Sequence, residues 1–282
     1  MERFLDAFEN HIKERNINIY RVSVVHGTDA PVTREFVPCN PCQNSYSCAK
    51  MFTLTALGML WDEGRLNLEE KLVDILAPLL PEKVAPGWEE ITVDMAIRHH
   101  MGLPGGYLDI DCKDAKEFGE DFLANVFSYP IGKPDRYIYT DAAYYVLARV
   151  VSCRAGMNIT DYLWKKLFYP LSFREAAWSS CPGGFAMGAT GLYIRTEDMV
   201  KLGALYLNDG LWENTRLMSH DWISTVHTRG YLQKVGEHGA YGHGGMRGQM
   251  ILVIPEANSA VAWHGFTGEN PRQWVADWFH QE

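Results

Sequence analysis

Ser47 and Lys50 stand three residues apart in the stretch Asn44-Ser45-Tyr46-Ser47-Cys48-Ala49-Lys50-Met51-Phe52-Thr53. At that spacing, on a helix beginning near Ser47, a hydroxyl and an amine share one face. A serine is a weak nucleophile until a neighbouring base takes its proton. Lysine supplies that base where burial or nearby charge disfavours its ammonium form. A helix N-terminus adds to the effect, because its dipole opposes a protonated lysine and favours the oxyanion of an acyl transfer. The same spacing also fits an ordinary first helical turn with a solvated lysine, so other residues must decide.

Two later stretches carry further candidates. Tyr139 and Asp141 lie in Tyr137-Ile138-Tyr139-Thr140-Asp141, just before a strongly helical run over 142–154. Tyr139 reads either as a polar tip positioned by a loop or as a core tyrosine bonded to backbone, and Asp141 also reads as a plain N-cap. The second stretch, Tyr241-Gly242-His243-Gly244-Gly245-Met246-Arg247-Gly248, leads into two strands over 249–254 and 259–264. Glycines there allow a backbone to approach a ligand closely.

The elements that must position these residues follow from periodicity. An amphipathic helix opens the chain, strands over 16–27 and 32–37 form a hairpin, and a helix runs from Ser47 to Gly64. Short helical turns over 66–80, a helix over 91–100 capped near Thr92, and further helix over 112–127 fill the middle. A short strand after Gly191 leads to Thr196 as the cap of another helix, and an amphipathic helix over 272–279 closes the chain. Strands and a helix, a helical middle, then strands and a helix predict an α+β fold, an antiparallel sheet flanked by helices with an all-helical insertion. The expected division is 1–60 with 186–282 as the α/β subdomain and 61–185 as the helical one.

The 282 residues suffice for a large core, and a net charge of −9 without a basic patch excludes a general nucleic-acid or anionic-membrane surface. No apolar run is long enough to span a bilayer. Acidic residues near Met1 leave no room for an export leader, which favours a cytoplasmic protein unless a leader was removed earlier. The six cysteines read as free thiols; Cys39-Asn40-Pro41-Cys42 has no second pair to complete a metal site. Adjacent His99 and His100 point in different directions on a helix, which favours packing or hydrogen bonding over a shared ion. There is no Gly-x-Ser-x-Gly elbow, dinucleotide or Walker loop, or His-Glu-x-x-His.

Taken together, Ser-x-x-Lys at a helix start, Tyr-x-Asp in a helical middle and His-x-Gly on a late strand occur in an order that resembles the serine β-lactamase and penicillin-binding protein superfamily, in its class C-like branch. The stretches Leu60-Trp61-Asp62-Glu63-Gly64-Arg65-Leu66-Asn67-Leu68, Arg98-His99-His100-Met101-Gly102-Leu103-Pro104 and Thr190-Gly191-Leu192-Tyr193-Ile194-Arg195-Thr196-Glu197-Asp198 are similar to further family segments. The resemblance implies Ser47 as acylated nucleophile, Lys50 as its base, and Tyr139 as the tyrosine that relays the proton. It implies His243-Gly244-Gly245 in place of the family's Lys-Thr-Gly triplet, and an oxyanion hole from the backbone N–H groups of Ser47 and Met246. No metal or other cofactor is implied.

Three departures matter: Asp141 bears on Lys50 as a base, which a neighbouring carboxylate weakens, and His243 and Gly244 bear on the substrate, since without lysine and hydroxyl a carboxylate is recognised less well. Asp141 puts a carboxylate where the family has Asn, His243 replaces lysine, and Gly244 removes a hydroxyl. Arg247, one residue after Met246, reads either as a cation that restores anion recognition or as a solvated surface arginine. The expected function is hydrolysis of a small ester, amide or peptide-like substrate through an acyl-enzyme, of esterase or D-amino-acid amidase type, with weak β-lactam turnover. A true class C-like β-lactamase or DD-carboxypeptidase and a non-catalytic binding protein are the alternatives. The sequence specifies no oligomeric state.

Overall fold

A computed structural model describes residues 1–281. In chain order the elements begin with α1 (Glu2–Glu14), β1 (Ile19–His26), β2 (Val32–Glu35), β3 (Cys42–Asn44) and α2 (Ala49–Asp62). The middle holds α3 (Leu72–Leu76), α4 (Val93–Ile97), α5 (Phe122–Phe127), α6 (Asp141–Ala155) and α7 (Ile159–Leu163). Then follow β4 (Ala176–Trp178), β5 (Leu192–Arg195), α8 (Thr196–Leu207), β6 (Leu211–Trp212), β7 (Thr215–Arg216) and α9 (His220–Arg229). The last are β8 (Gln233–Val235), β9 (Ala240–Gly244), β10 (Met250–Ile254), β11 (Ser259–Gly265) and α10 (Arg272–Gln281). No helix among the described residues is long and apolar enough to cross a membrane.

The chain forms two compact units. The first comprises residues 1–51, 167–177 and 192–282, and the second residues 52–166 and 178–191. The division falls inside α2, after Met51.

In the first unit six strands pair in the order β2-β1-β11-β10-β9-β8, antiparallel throughout. Every residue of β10 and β11 is buried, the mark of strands covered on both faces. One face is covered by α1, whose Phe4, Leu5, Phe8 and Ile12 fall on one stripe, and by α10 through Val275 and Ala276. These meet Val22, Val24, Leu252, Val261 and Trp263 of the sheet. The opposite face receives α8, where Gly203 sits over Ala260 and Ile251. A small sheet, β3-β5-β4, leads into the turn before α2. An α+β fold with an antiparallel sheet flanked by helices is therefore the architecture.

One local expectation is corrected. Thr196 does not cap α8: Arg195 holds the N-cap position without a side-chain bond, and the Thr196 hydroxyl pairs with Nδ1 of buried His264 at 2.8 Å. Thr196 and the His264 ring are buried together, and buried polar groups are normally paired.

The second unit is built around α6, whose residues from Asp141 through Ser152 are all buried. A helix apolar on every side belongs in a core. Helices α3, α4 and α7 pack around it. The predicted helix over 112–127 is two pieces, a 3-10 turn at Ala115–Phe118 and α5, parted by Gly119 in the left-handed region at φ 72°.

Candidate active site

The nucleophile candidate is held by main-chain bonds. Ser45 N–H donates to Leu192 O at 2.8 Å, and the Asn44 side-chain oxygen accepts the Tyr46 N–H at 2.9 Å. Tyr46 then takes φ +46°, a conformation a non-glycine residue adopts at some energetic expense. This kink delivers Ser47 into a single 3-10 turn, Tyr46–Cys48, directly before α2. Lys50 lies one turn on, with Nζ 3.1 Å from Ser47 Oγ. Lys50 has no exposed surface, whereas Ser47 is half-buried. Removing a lysine from water penalises its charged form. A half-exposed hydroxyl within reach of a buried amine can attack a carbonyl while its proton moves to that amine.

The edge of β9 lies against this turn. The Cys48 thiol donates to His243 O at 3.2 Å, with burial pushing its pKa well up. Gly245 is there because nothing larger fits: a Cβ would stand 2.8 Å from Ser45 O and 2.6 Å from Gln249 Oε1. The next residue, Met246, is exposed, and its N–H donates to no protein acceptor among the described residues. Such a donor is available to an oxyanion. Arg247 lies beyond it with its guanidinium 4.9 Å from the Phe266 ring centre.

His243 is buried, and burial followed by the Lys50 charge pushes its pKa down to about 3. Its Nδ1 lies 3.1 Å from Gly244 O, a carbonyl that only accepts, so the proton of the neutral ring sits on Nδ1. His264 is likewise driven to about 3 by burial and then by Arg21. Both pKa values are lowered on folding, so the neutral rings stabilise the fold fully above about pH 6.5. Urea unfolding at stepped pH should show stability falling as pH drops from about 6.5 towards 3, by up to about 1.4 kcal/mol per pH unit for each ring. A flat profile between pH 6 and 4 would show that the rings are solvated.

Tyr139 and Asp141 lie in the second unit. Tyr139 is half-buried, and its ring stacks on His99 at 4.7 Å between centres and 30° between planes. Thr140, the N-cap of α6, donates its hydroxyl to Tyr107 O at 2.8 Å and its N–H to His99 Nδ1 at 3.3 Å. Asp141 opens α6 and is buried. Its carboxylate joins those of Asp109 and Asp111, each offering an oxygen within 4.8 Å of the others. The structure thus groups Ser47, Lys50, His243, Gly244, Gly245, Met246 and Arg247 in one unit and Tyr139 with Asp141 in the other.

Sequence reasoning, which favours packing or hydrogen bonding for His99, does not reach its partner Thr140, nor Asp109 and Asp111. The Asp-Ile-Asp pattern at 109–111 was the available signal for the acids. A second three-donor cluster, His238, Glu256 and His280, is unsuited to a shared ion as it stands. Its imidazoles stack face to face with centres 3.4 Å apart and 12° between planes, so their in-plane lone pairs run parallel and do not converge.

Comparison with known proteins identifies the family. The family model described as Beta-lactamase matches residues 42–278. Penicillin-binding protein 4 of Amycolatopsis lactamdurans is 30% identical over 234 residues, covering 70% of this chain and 58% of its own length. The 6-aminohexanoate-dimer hydrolase of Paenarthrobacter ureafaciens is 23% identical over 212 residues, covering 68% and 52%. The chain therefore spans somewhat over half the length of these curated relatives. A class C β-lactamase structure from Rhodobacter sphaeroides superposes with a TM-score of 0.69 at 18% identity, covering 99% of this chain and 98% of that one. With its antiparallel sheet, its Ser47–Lys50 pair and a match across most of its length, the chain belongs to the β-lactamase family of serine hydrolases, within the superfamily that includes penicillin-binding proteins.

Proposed function

We propose that Ser47 forms an acyl-enzyme with a small ester or amide that carries no carboxylate beside the scissile bond, as an esterase or a D-amino-acid amidase would. The observation that carries this reading is His243. The position that the family fills with lysine holds a buried ring kept neutral, next to a glycine without a hydroxyl. A neutral ring gives a substrate carboxylate no charge to pair with.

In this reading Ser47 Oγ attacks the carbonyl carbon as its proton passes to Lys50 Nζ, and the N–H groups of Ser47 and Met246 hold the oxyanion. On the family resemblance, Tyr139 relays the proton to the leaving group as the C–O or C–N bond breaks. Water then cleaves the acyl-enzyme and returns the serine hydroxyl. The relative named for an amide-hydrolysing activity, the 6-aminohexanoate-dimer hydrolase, supports the amide side of the proposal.

The test is a side-by-side measurement of kcat/KM for p-nitrophenyl acetate, D-alanyl p-nitroanilide and nitrocefin. The ester or the anilide should exceed nitrocefin by about 100-fold or more, the scale of a lost charge-assisted contact of roughly 3 kcal/mol. Nitrocefin ahead by orders of magnitude would overturn the reading in favour of a β-lactamase, with Arg247 as the anion partner.

A further inference from the structure

We propose that His99 is a positioning residue for Tyr139, holding the tyrosine through a bare ring nitrogen and a ring face. This rests on the reading above that Tyr139 relays a proton.

The backbone is the first observation. Helix α4 ends at Ile97 with Arg98 as its C-cap, and the next residue, His99, takes φ +56°. After a helix end, that left-handed position usually belongs to glycine, and a side chain there costs roughly 1 kcal/mol or more. Strain of this kind persists where the surrounding structure holds it, and often where function uses it. The question is what the histidine side chain supplies that glycine would not.

The side chain adds a hydrogen bond and a ring face to a short segment that the His99 carbonyl already ties. The peptide N–H on each side of Tyr139 is donated to His99: Ile138 N–H to the carbonyl at 3.0 Å, and Thr140 N–H to Nδ1 at 3.3 Å. Tyr139 O in turn accepts the Gly106 N–H at 3.1 Å. The buried imidazole stacks on the Tyr139 ring, with the Tyr137 ring edge-on at 5.5 Å and Tyr144 tilted at 5.3 Å. Backbone and ring of the tyrosine are therefore set by one residue from a different helix end.

The chemistry of the contact fixes the tautomer. A peptide N–H can only donate, so Nδ1 of His99 carries no proton and the ring proton is on Nε2. Leucine would fill the space but break the bond. Asparagine would keep an acceptor where Nδ1 stands, and it tolerates the left-handed region. A group that moves a proton must be placed finely, and a displacement near 1 Å can cost about 100-fold.

The experiment compares His99→Leu, His99→Asn and Tyr139→Phe, with kcat and KM measured on the ester the Ser47 enzyme turns over and folding checked by thermal melting. His99→Leu should lower kcat about 10- to 100-fold with KM changed less than about threefold. His99→Asn should stay within about fivefold of the parent kcat. An asparagine variant that folds but falls as far as leucine, or a leucine variant with full kcat, overturns the proposal. If the leucine variant does not fold, the asparagine variant decides by the same criterion.

Nitrogen-15 chemical shifts of the His99 ring should also show the proton on Nε2 at neutral pH, and a proton on Nδ1 would overturn the proposal whatever the kinetics. A Tyr139→Phe variant with unchanged kcat would instead remove the relay reading itself. A slow Tyr139→Phe beside an unaffected His99→Leu would defeat only the positioning role.

Discussion

Ser47→Ala is expected to remove all covalent labelling by a fluorescent fluorophosphonate and to lower ester turnover by at least about 1,000-fold. Without Oγ there is no atom to form the acyl bond, and any residual rate comes from binding and from oxyanion donors such as the Met246 N–H. The fold should hardly notice. Ser47 is only half-buried, and its loss removes one 3.1 Å hydrogen bond to Lys50, worth about 1 kcal/mol. Intact-mass measurement after incubation with the probe gives a direct reading: one adduct on the parent, none on the variant. Equal labelling of both would move the nucleophile elsewhere, and labelling of neither would leave a fold that binds without reacting.

Lys50→Met should be nearly as damaging to activity, by about 1,000-fold, and yet leave the melting temperature unchanged or higher. The two effects part because they depend on different properties of the side chain. Lys50 has no contact with solvent. A methionine of similar length fills an irregular apolar space well, and replacing a buried charge with an apolar group of like shape is often neutral or stabilising. What methionine lacks is the lone pair that takes the Ser47 proton. Burial is the larger cause of the low pKa of His243, so the ring should stay neutral at pH 7 in the variant. A Lys50→Met enzyme with near-normal turnover would show that another group serves as the base.

Much of this arrangement could be read from residue order, and what could not be read has identifiable causes. The contact between Ser47 and Lys50 follows from i, i+3 spacing, and the α1 face follows from Phe4, Phe8 and Ile12 recurring at helical period. The pair β10 and β11 is legible as two apolar runs around a proline turn. Harder to see were β3 and β8, each three residues long, too short for an alternating pattern to register. His99 was hidden for a different reason. Its pairing with Thr140 spans 41 residues and depends on a left-handed backbone at a non-glycine position, which no local pattern announces. Thr196 reads locally as a cap because its partner, His264, lies 68 residues away in the chain.

The two glycines after His243 differ in how open they are to change. At Gly245 any side chain would collide with the Ser45 carbonyl oxygen, so that position is closed. At Gly244 a Cβ would stand 3.4 Å from Met250 Sδ and 3.5 Å from Gln249 O, ordinary contact distances. The hydroxyl that the family places there is thus one residue exchange away and sterically admissible. The preference against carboxylates, as proposed here, would then be an evolutionarily shallow trait: the fold leaves a ready path for this lineage to acquire anion recognition at residue 244 and shuts the path at its neighbour.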